Sequence, residues 1–156
     1  MIKNRVFTVL TEVISILLLV GMVIYLILNW ASIPDTIPYH FNASGAADGW
    51  DNKRKLLIMP ILAGLLYFML TGVSVLMGVL SRIKAGNVPE ALVPDLKSML
   101  RVQKIEIMLL FFYLTYCMAE SRNLSAAFLP VFLLVIFGTL AVFIVTMLLK
   151  NKRSLQ

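Results

Sequence analysis

Long apolar runs broken by short polar stretches organise this chain, and the runs have the length of a bilayer crossing. A helix needs about 20 mostly apolar residues to cross a hydrocarbon layer of roughly 30 Å. Segments 6–30, 56–80, 105–119 and 126–149 meet or approach that length. The pattern predicts an all-α integral membrane fold: a four-transmembrane-helix bundle forming one domain over residues 1–156. The third run is the shortest. Its assignment leans on a helical approach before it and on the polar turn "ESRNLS" at 120–125 after it, which makes the third and fourth spans antiparallel neighbours.

The connection between the second and third runs contains "RIKAGNVPE", where Gly86, Asn87 and Pro89 discourage a continuous helix. From Pro94 onward, Lys97, Arg101 and Lys104 recur at helical spacing while Leu96, Met99 and Leu100 fall toward another face. That is the pattern of an amphipathic cytoplasmic segment seated on lipid headgroups just before helix 3.

Composition agrees with a membrane location: 60% of residues are hydrophobic and the mean hydropathy is +0.92, beyond the range of soluble domains. The basic start "MIKNR" followed by an apolar run also fits a secretory signal. The run is long for that role, however, and cleavage after Ala31 would need a small residue where Asn29 stands. A retained first span is therefore expected. Cys117 is the one cysteine, so no intrachain disulfide can form.

The net charge of +6 is asymmetrically placed. Lys3, Arg5, Arg82, Lys84, Lys97, Arg101, Lys104, Lys150, Lys152 and Arg153 fall on one side of the predicted spans, and Lys53, Arg54, Lys55 and Arg122 on the other. Cationic residues concentrate on the cytoplasmic side of membrane proteins, so both termini are expected in the cytoplasm of a multi-pass protein. The excess charge then reads as topology and contact with membrane lipids, not as nucleic-acid binding.

Small and weakly polar residues mark the helix faces that pack in lipid. Span two carries Pro60, Gly64, Tyr67, Thr71, Ser74 and Gly78 in one seam; span one carries Thr8, Thr11, Glu12 and Ser15; span three carries Glu106, Tyr113, Cys117 and Glu120. Glu12 and Glu106 are the unusual members. An intramembrane carboxylate is costly and is a functional candidate, while proximity to Arg5, Arg101 or Lys104 also allows a structural ion pair.

The first outward connector holds "IPYHFNASGAADGWDNK", residues 37–53, between two greasy runs and bracketed by Trp30 and Trp50, whose rings favour headgroup depth. Pro34 and Pro38 impose extended backbone. Asn42, Ser44, Asp48, Gly45 and Gly49 then supply turn chemistry, predicting an ordered extracytoplasmic loop between helices 1 and 2, lying low on the bundle. His40, Asp35, Asn42, Asp48 and Asp51 offer oxygen and nitrogen donors. No histidine or cysteine pair stands at metal-binding spacing, so neither metal nor cofactor is expected and His40 reads first as a turn-stabilising residue. "NAS" at 42–44 and "NLS" at 123–125 match the glycosylation acceptor pattern, a weak signal.

The arrangement Pro34-Asp35, Pro38, His40-Phe41-Asn42, Gly45, Asp48-Gly49-Trp50 and Lys53 between two apolar helices resembles the membrane domain of unknown function found in SdpI-type bacterial immunity proteins. The resemblance covers residues of about 10–80. It implies a bacterial cytoplasmic membrane location and a secreted antimicrobial peptide as partner. For some members it implies relay to a cytoplasmic regulator. It carries the outer motif onto Pro38, His40, Asn42, Gly45, Asp48, Gly49, Trp50 and Lys53 without assigning their roles. This chain departs from those proteins in having four predicted spans where they have more.

The leading expectation is a non-enzymatic protein whose outer loop recognises an extracytoplasmic amphiphile, giving immunity to or sensing of an antimicrobial peptide. Trp30, Tyr39, Phe41 and Trp50 supply interfacial aromatic surface beside the polar loop. The alternatives are a small proton- or ion-coupled transporter using Glu12 and Glu106, and a metal-dependent membrane enzyme using His40. Homo-oligomerisation stays open.

Overall fold

A computed structural model describes the backbone of residues 2–83 and 90–154 and the side chains of 5–83 and 90–150. The Gly86, Asn87 and Pro89 break, together with Lys3, Lys84, Lys152 and Arg153, lies outside the described side chains. Four long helices run in alternating directions: α1 (Ile2–Asn29), α2 (Ile58–Arg82), α3 (Val93–Ala119) and α4 (Phe128–Ser154). Between α1 and α2 the chain forms an antiparallel hairpin of β1 (Thr36–Phe41) and β2 (Ala47–Asn52). The segments Arg5–Asn29, Lys53–Arg82, Glu90–Ala119 and Phe128–Lys150 are long and apolar enough to cross a membrane. The protein is a four-helix membrane protein.

α3 is the central helix and packs against the other three, while α1 and α2 touch each other less and α4 lies chiefly on α3. Composition explains the order. α3 carries nine buried residues, including Gln103, Lys104, Glu106 and Thr115. α4 is apolar over most of its length before Lys150, and Leu134 at 73% and Val142 at 66% exposure turn outward as lipid-facing residues do. The third span is longer than the run 105–119. The amphipathic segment from Pro94 is continuous with it in one helix of 27 residues. This is the helical approach expected ahead of the third run, carrying Lys97, Arg101 and Lys104.

Lys104 leaves the headgroup-facing stripe and takes the other role open to it, as the ion-pair partner of an intramembrane carboxylate. Its side chain is 2% exposed, and its ammonium donates to both carboxylate oxygens of Glu12 at 2.8 Å and to the Thr71 hydroxyl at 2.9 Å. The Tyr67 ring lies under it at 4.5 Å, and the Tyr67 hydroxyl donates to Glu12 at 3.0 Å. This knot joins α1, α2 and α3. The local helical wheel points Lys104 toward the other cations, but the carboxylate that attracts it stands 92 residues away in sequence.

The polar stripes otherwise face inward. Thr11 and Ser15 are 5% and 1% exposed, and their hydroxyls donate to backbone carbonyls one turn back, which removes the cost of a free donor in lipid. The seam of α2 is half-buried along its length, but its fully buried residue is Ala63, and a side chain at Gly64 would meet nothing within 4 Å. Gly78 is tighter: a β-carbon there would collide with the Lys97 side chain.

Removing one partner of a buried pair leaves an uncompensated charge and costs roughly 3–5 kcal/mol. Lys104→Met is expected to lose about that much stability in a denaturant titration of the purified protein. The double variant Glu12→Gln/Lys104→Met is expected to recover at least half of it. Equal losses in the single and double variants would show that the pair does not stabilise the bundle.

Candidate functional site

The hairpin end of the bundle is where the sequence concentrated its unusual residues, and each has a definite place there. Ile37 and Pro38 face inward and are buried, and Ile33, Ile37 and Leu56 pack with Leu26, Met118 and Ala119 at the ends of α1 and α3. The hairpin therefore lies flat on the bundle as a cap. Its strands lack the usual alternation, since Pro38 sits in β1 and Gly49 in β2, and the register shifts on either side of His40.

Turn chemistry holds the tip. The Asn42 side-chain carbonyl accepts from the Ser44 amide at 3.0 Å, the Ser44 hydroxyl at 2.7 Å and the Ala46 amide at 3.1 Å. Gly45 has φ of 84°, a conformation that glycine adopts without strain. It also touches the α3–α4 connector so closely that a β-carbon would sit 2.5 Å from the Leu124 carbonyl oxygen. The Gly45 carbonyl accepts from the Leu124 amide at 2.8 Å, and Asn123 accepts from the Ala47 amide at 2.9 Å. The hairpin and the α3–α4 connector are thus locked into one cap. Asn123 and Leu124 carry no local signature of this contact beyond the polarity of their turn.

Across the strands, His40 stands opposite Gly49, where a β-carbon would lie 2.9 Å from that of His40. Gly49 leaves the room that the histidine occupies. His40 Nδ1 lies 2.5 Å from Asp48 Oδ1 on the exposed surface. Trp50 is cross-strand from Pro38 and 55% exposed. Lys53 closes the base: it pairs with Asp35 at 3.0 Å, donates to the Ile33 carbonyl at 3.1 Å and sits 5.7 Å from the Trp30 ring centre.

The remaining loop carboxylate, Asp51, hydrogen-bonds Lys55, and this contact holds its carboxyl below the usual range, aided by the Asn52 amide. Asp35 and Asp51 are therefore engaged by lysines rather than gathered around His40. Among the described residues, no group of three or more His, Cys, Asp or Glu side chains is placed to hold a metal ion.

A groove of about 280 Å³ opens between the hairpin tip and the α3–α4 pair. Phe41, Asn42 and Ala43 form its polar-edged rim, and Leu114, Phe128 and Phe132 its apolar wall. The two intramembrane carboxylates are not brought together. Glu12 belongs to the Lys104 knot, while Glu106, 8% exposed, faces α4 with the Thr139 hydroxyl 3.3 Å away. Gln103 donates to the same hydroxyl at 2.7 Å. Of the span-three stripe, Cys117 is buried, Tyr113 packs on Phe128, and Glu120 is exposed and accepts from the Tyr25 hydroxyl at 2.8 Å.

A family model described as a domain of unknown function (DUF1648) matches residues 17–64. The match takes in the second half of α1, the whole hairpin and the start of α2, just under a third of the chain. No curated protein and no solved structure gives a match.

Two outcomes test the cap. Gly45→Ala is expected to undock the tip from Leu124, seen as at least a several-fold faster cleavage of residues 41–47 by added protease with the helices intact. Lys55→Ala is expected to return the Asp51 carboxyl toward its ordinary value in an NMR titration. Because that pKa is depressed, the pair's contribution is present above the ordinary carboxylate pKa and fades as pH falls through the depressed one.

Proposed function

We propose that this protein recognises a membrane-active amphiphile at its hairpin end, and that the amphiphile is an antimicrobial peptide against which the protein gives immunity or which it senses. The groove under the hairpin tip carries this reading. Its rim offers the polar edge of Asn42 and its wall offers Leu114, Phe128 and Phe132, matching a ligand with one polar and one apolar side. A membrane-active peptide has that division, and it would meet the groove at headgroup depth.

In this reading the hairpin faces outward, the termini face the cytoplasm, and the membrane is the bacterial cytoplasmic one. Arg5, Arg82, Lys97, Arg101 and Lys150 all stand at the end of the bundle opposite the hairpin, which supports that orientation. The resemblance of the outer motif to SdpI-type immunity proteins supports the class of ligand. The ordered, self-paired cap supports binding over catalysis, since His40 and Asp48 satisfy each other on an open surface. Relay to a cytoplasmic regulator would follow from movement of α3, which runs from the cap to the opposite end.

Survival of susceptible bacteria under a panel of secreted peptides tests the proposal. Cells expressing the protein are expected to tolerate at least a several-fold higher dose of one peptide. Leu114→Trp, which fills the groove, is expected to abolish that tolerance at equal protein level. Absence of protection against every peptide, or full protection by Leu114→Trp, would remove the reading.

A further inference from the structure

Opposite the hairpin, the starts of α1 and α3 and the last turns of α2 surround a cavity of about 390 Å³ with a largely polar lining. α2 contributes Ser81 and Arg82 to it, and α3 contributes Lys97, Ser98 and Arg101. The lysines that form ion pairs among the described residues are Lys53, Lys55, Lys104 and Lys150, so the three cations of this cavity stand without one. Glu90, exposed, is the one carboxylate in the lining and pairs with none of them. Three cations against one carboxylate leave an excess of two positive charges around a single space. Lys97 and Arg101 are half-buried. A lysine at a membrane surface ordinarily carries its ammonium outward to water. The Lys97 ammonium instead reaches across to α2, lying so close to Gly78 that a β-carbon there would collide with it.

We propose that this cavity binds a phosphomonoester group, carried by a membrane lipid headgroup or by a soluble molecule. Charge selects the occupant. Like charges lining one cavity repel each other, and an anion between them reverses the sign of that interaction. A phosphomonoester carries a charge of about −1.5 to −2 and three acceptor oxygens, which matches the excess in the lining. The two guanidinium groups can each give paired hydrogen bonds to such oxygens, and the ammonium adds a compact charge. The Ser98 hydroxyl already donates to the Pro94 carbonyl at 2.9 Å, leaving Ser81 as the hydroxyl donor on the α2 side. Other cations at this end differ: Arg5 is exposed outside the lining and Lys150 is engaged by Asp95.

Native mass spectrometry of the purified protein in uncharged detergent tests the site with three probes: phosphatidic acid, phosphatidylcholine of the same chains, and glycerol 3-phosphate. Saturable binding of phosphatidic acid is expected, at least tenfold tighter than that of phosphatidylcholine. Displacement by glycerol 3-phosphate would mark the phosphate group as sufficient and the source as soluble; retention of the lipid would mark the source as the membrane. Lys97→Gln and Arg101→Gln are each expected to weaken binding at least tenfold. Ser98→Trp, which keeps the three cations and fills the cavity, is expected to do the same, and it decides if a charge variant fails to fold. Arg5→Gln removes a charge at the same end outside the cavity and is expected to change affinity less than twofold. Equal binding of the two lipids would overturn the proposal, as would full binding by folded Ser98→Trp. A loss in Arg5→Gln equal to that in Lys97→Gln would overturn it too, because diffuse surface charge would then explain the binding.

Discussion

A charged ammonium in the middle of a bundle that crosses a membrane organises everything around it. Lys104 cannot be solvated by hydrocarbon, so its three donors must find acceptors inside the protein. Glu12 and Thr71 provide them, from two helices that otherwise touch each other little. Apolar helices gain little by excluding lipid from one another, since lipid is as apolar as they are. A buried ion pair with directional hydrogen bonds therefore supplies what the hydrophobic effect does not: a fixed rotation of α1 and α2 about α3. The inward facing of Thr11 and Ser15 on α1, and of Tyr67 on α2, follows from that rotation.

The same accounting of polar groups shapes the hairpin end. Backbone leaving a helix at the membrane surface has donors and acceptors to satisfy, and a connector with water on one side and lipid near the other satisfies them best by pairing with itself. The hairpin does so, and its tip then takes the last available bonds from Asn123 and Leu124. Most of the motif residues are consumed in this construction: Asn42 and Gly45 shape the tip, Gly49 makes room for His40, and Lys53 fastens the base. What the cap leaves free is its edge over α3 and α4. That is why the edge, and not the His40–Asp48 pair, is the better place to look for a ligand.

The four crossings were legible because a run of apolar residues is a local property, counted without knowing what lies beside it. The Asn42–Gly45 turn was legible for the same reason. The strands were not, since Pro38 and Gly49 break the alternation that announces a sheet, and their pairing is set by the turn and by Ile37 facing the bundle. The start of α3 reads as a basic helix leading into the third span, and Lys104 belongs both to its cationic face and to the possible partners of the intramembrane carboxylates. Only the arrival of Glu12 from a distant helix turns Lys104 into an interior residue. Contacts made across long sequence separation, such as Gly45 with Leu124 and Gln103 with Thr139, leave no mark on either segment alone.

Glu12 and Glu106 began as equivalent candidates, two acidic residues in apolar runs, and packing has made them different chemical objects. The ion pair of Glu12 is closed: both carboxylate oxygens accept from Lys104, and any rearrangement that freed one would strand an ammonium. A relay or binding role at that position would cost the bundle its central fastening. Glu106 stands instead in the α3–α4 seam, where it and Gln103 meet the Thr139 hydroxyl between the Tyr113–Phe128 and Lys150–Asp95 contacts at the two ends. One carboxylate thus fastens three helices through an ion pair, while the other shares the Thr139 hydroxyl with Gln103 in the seam between two.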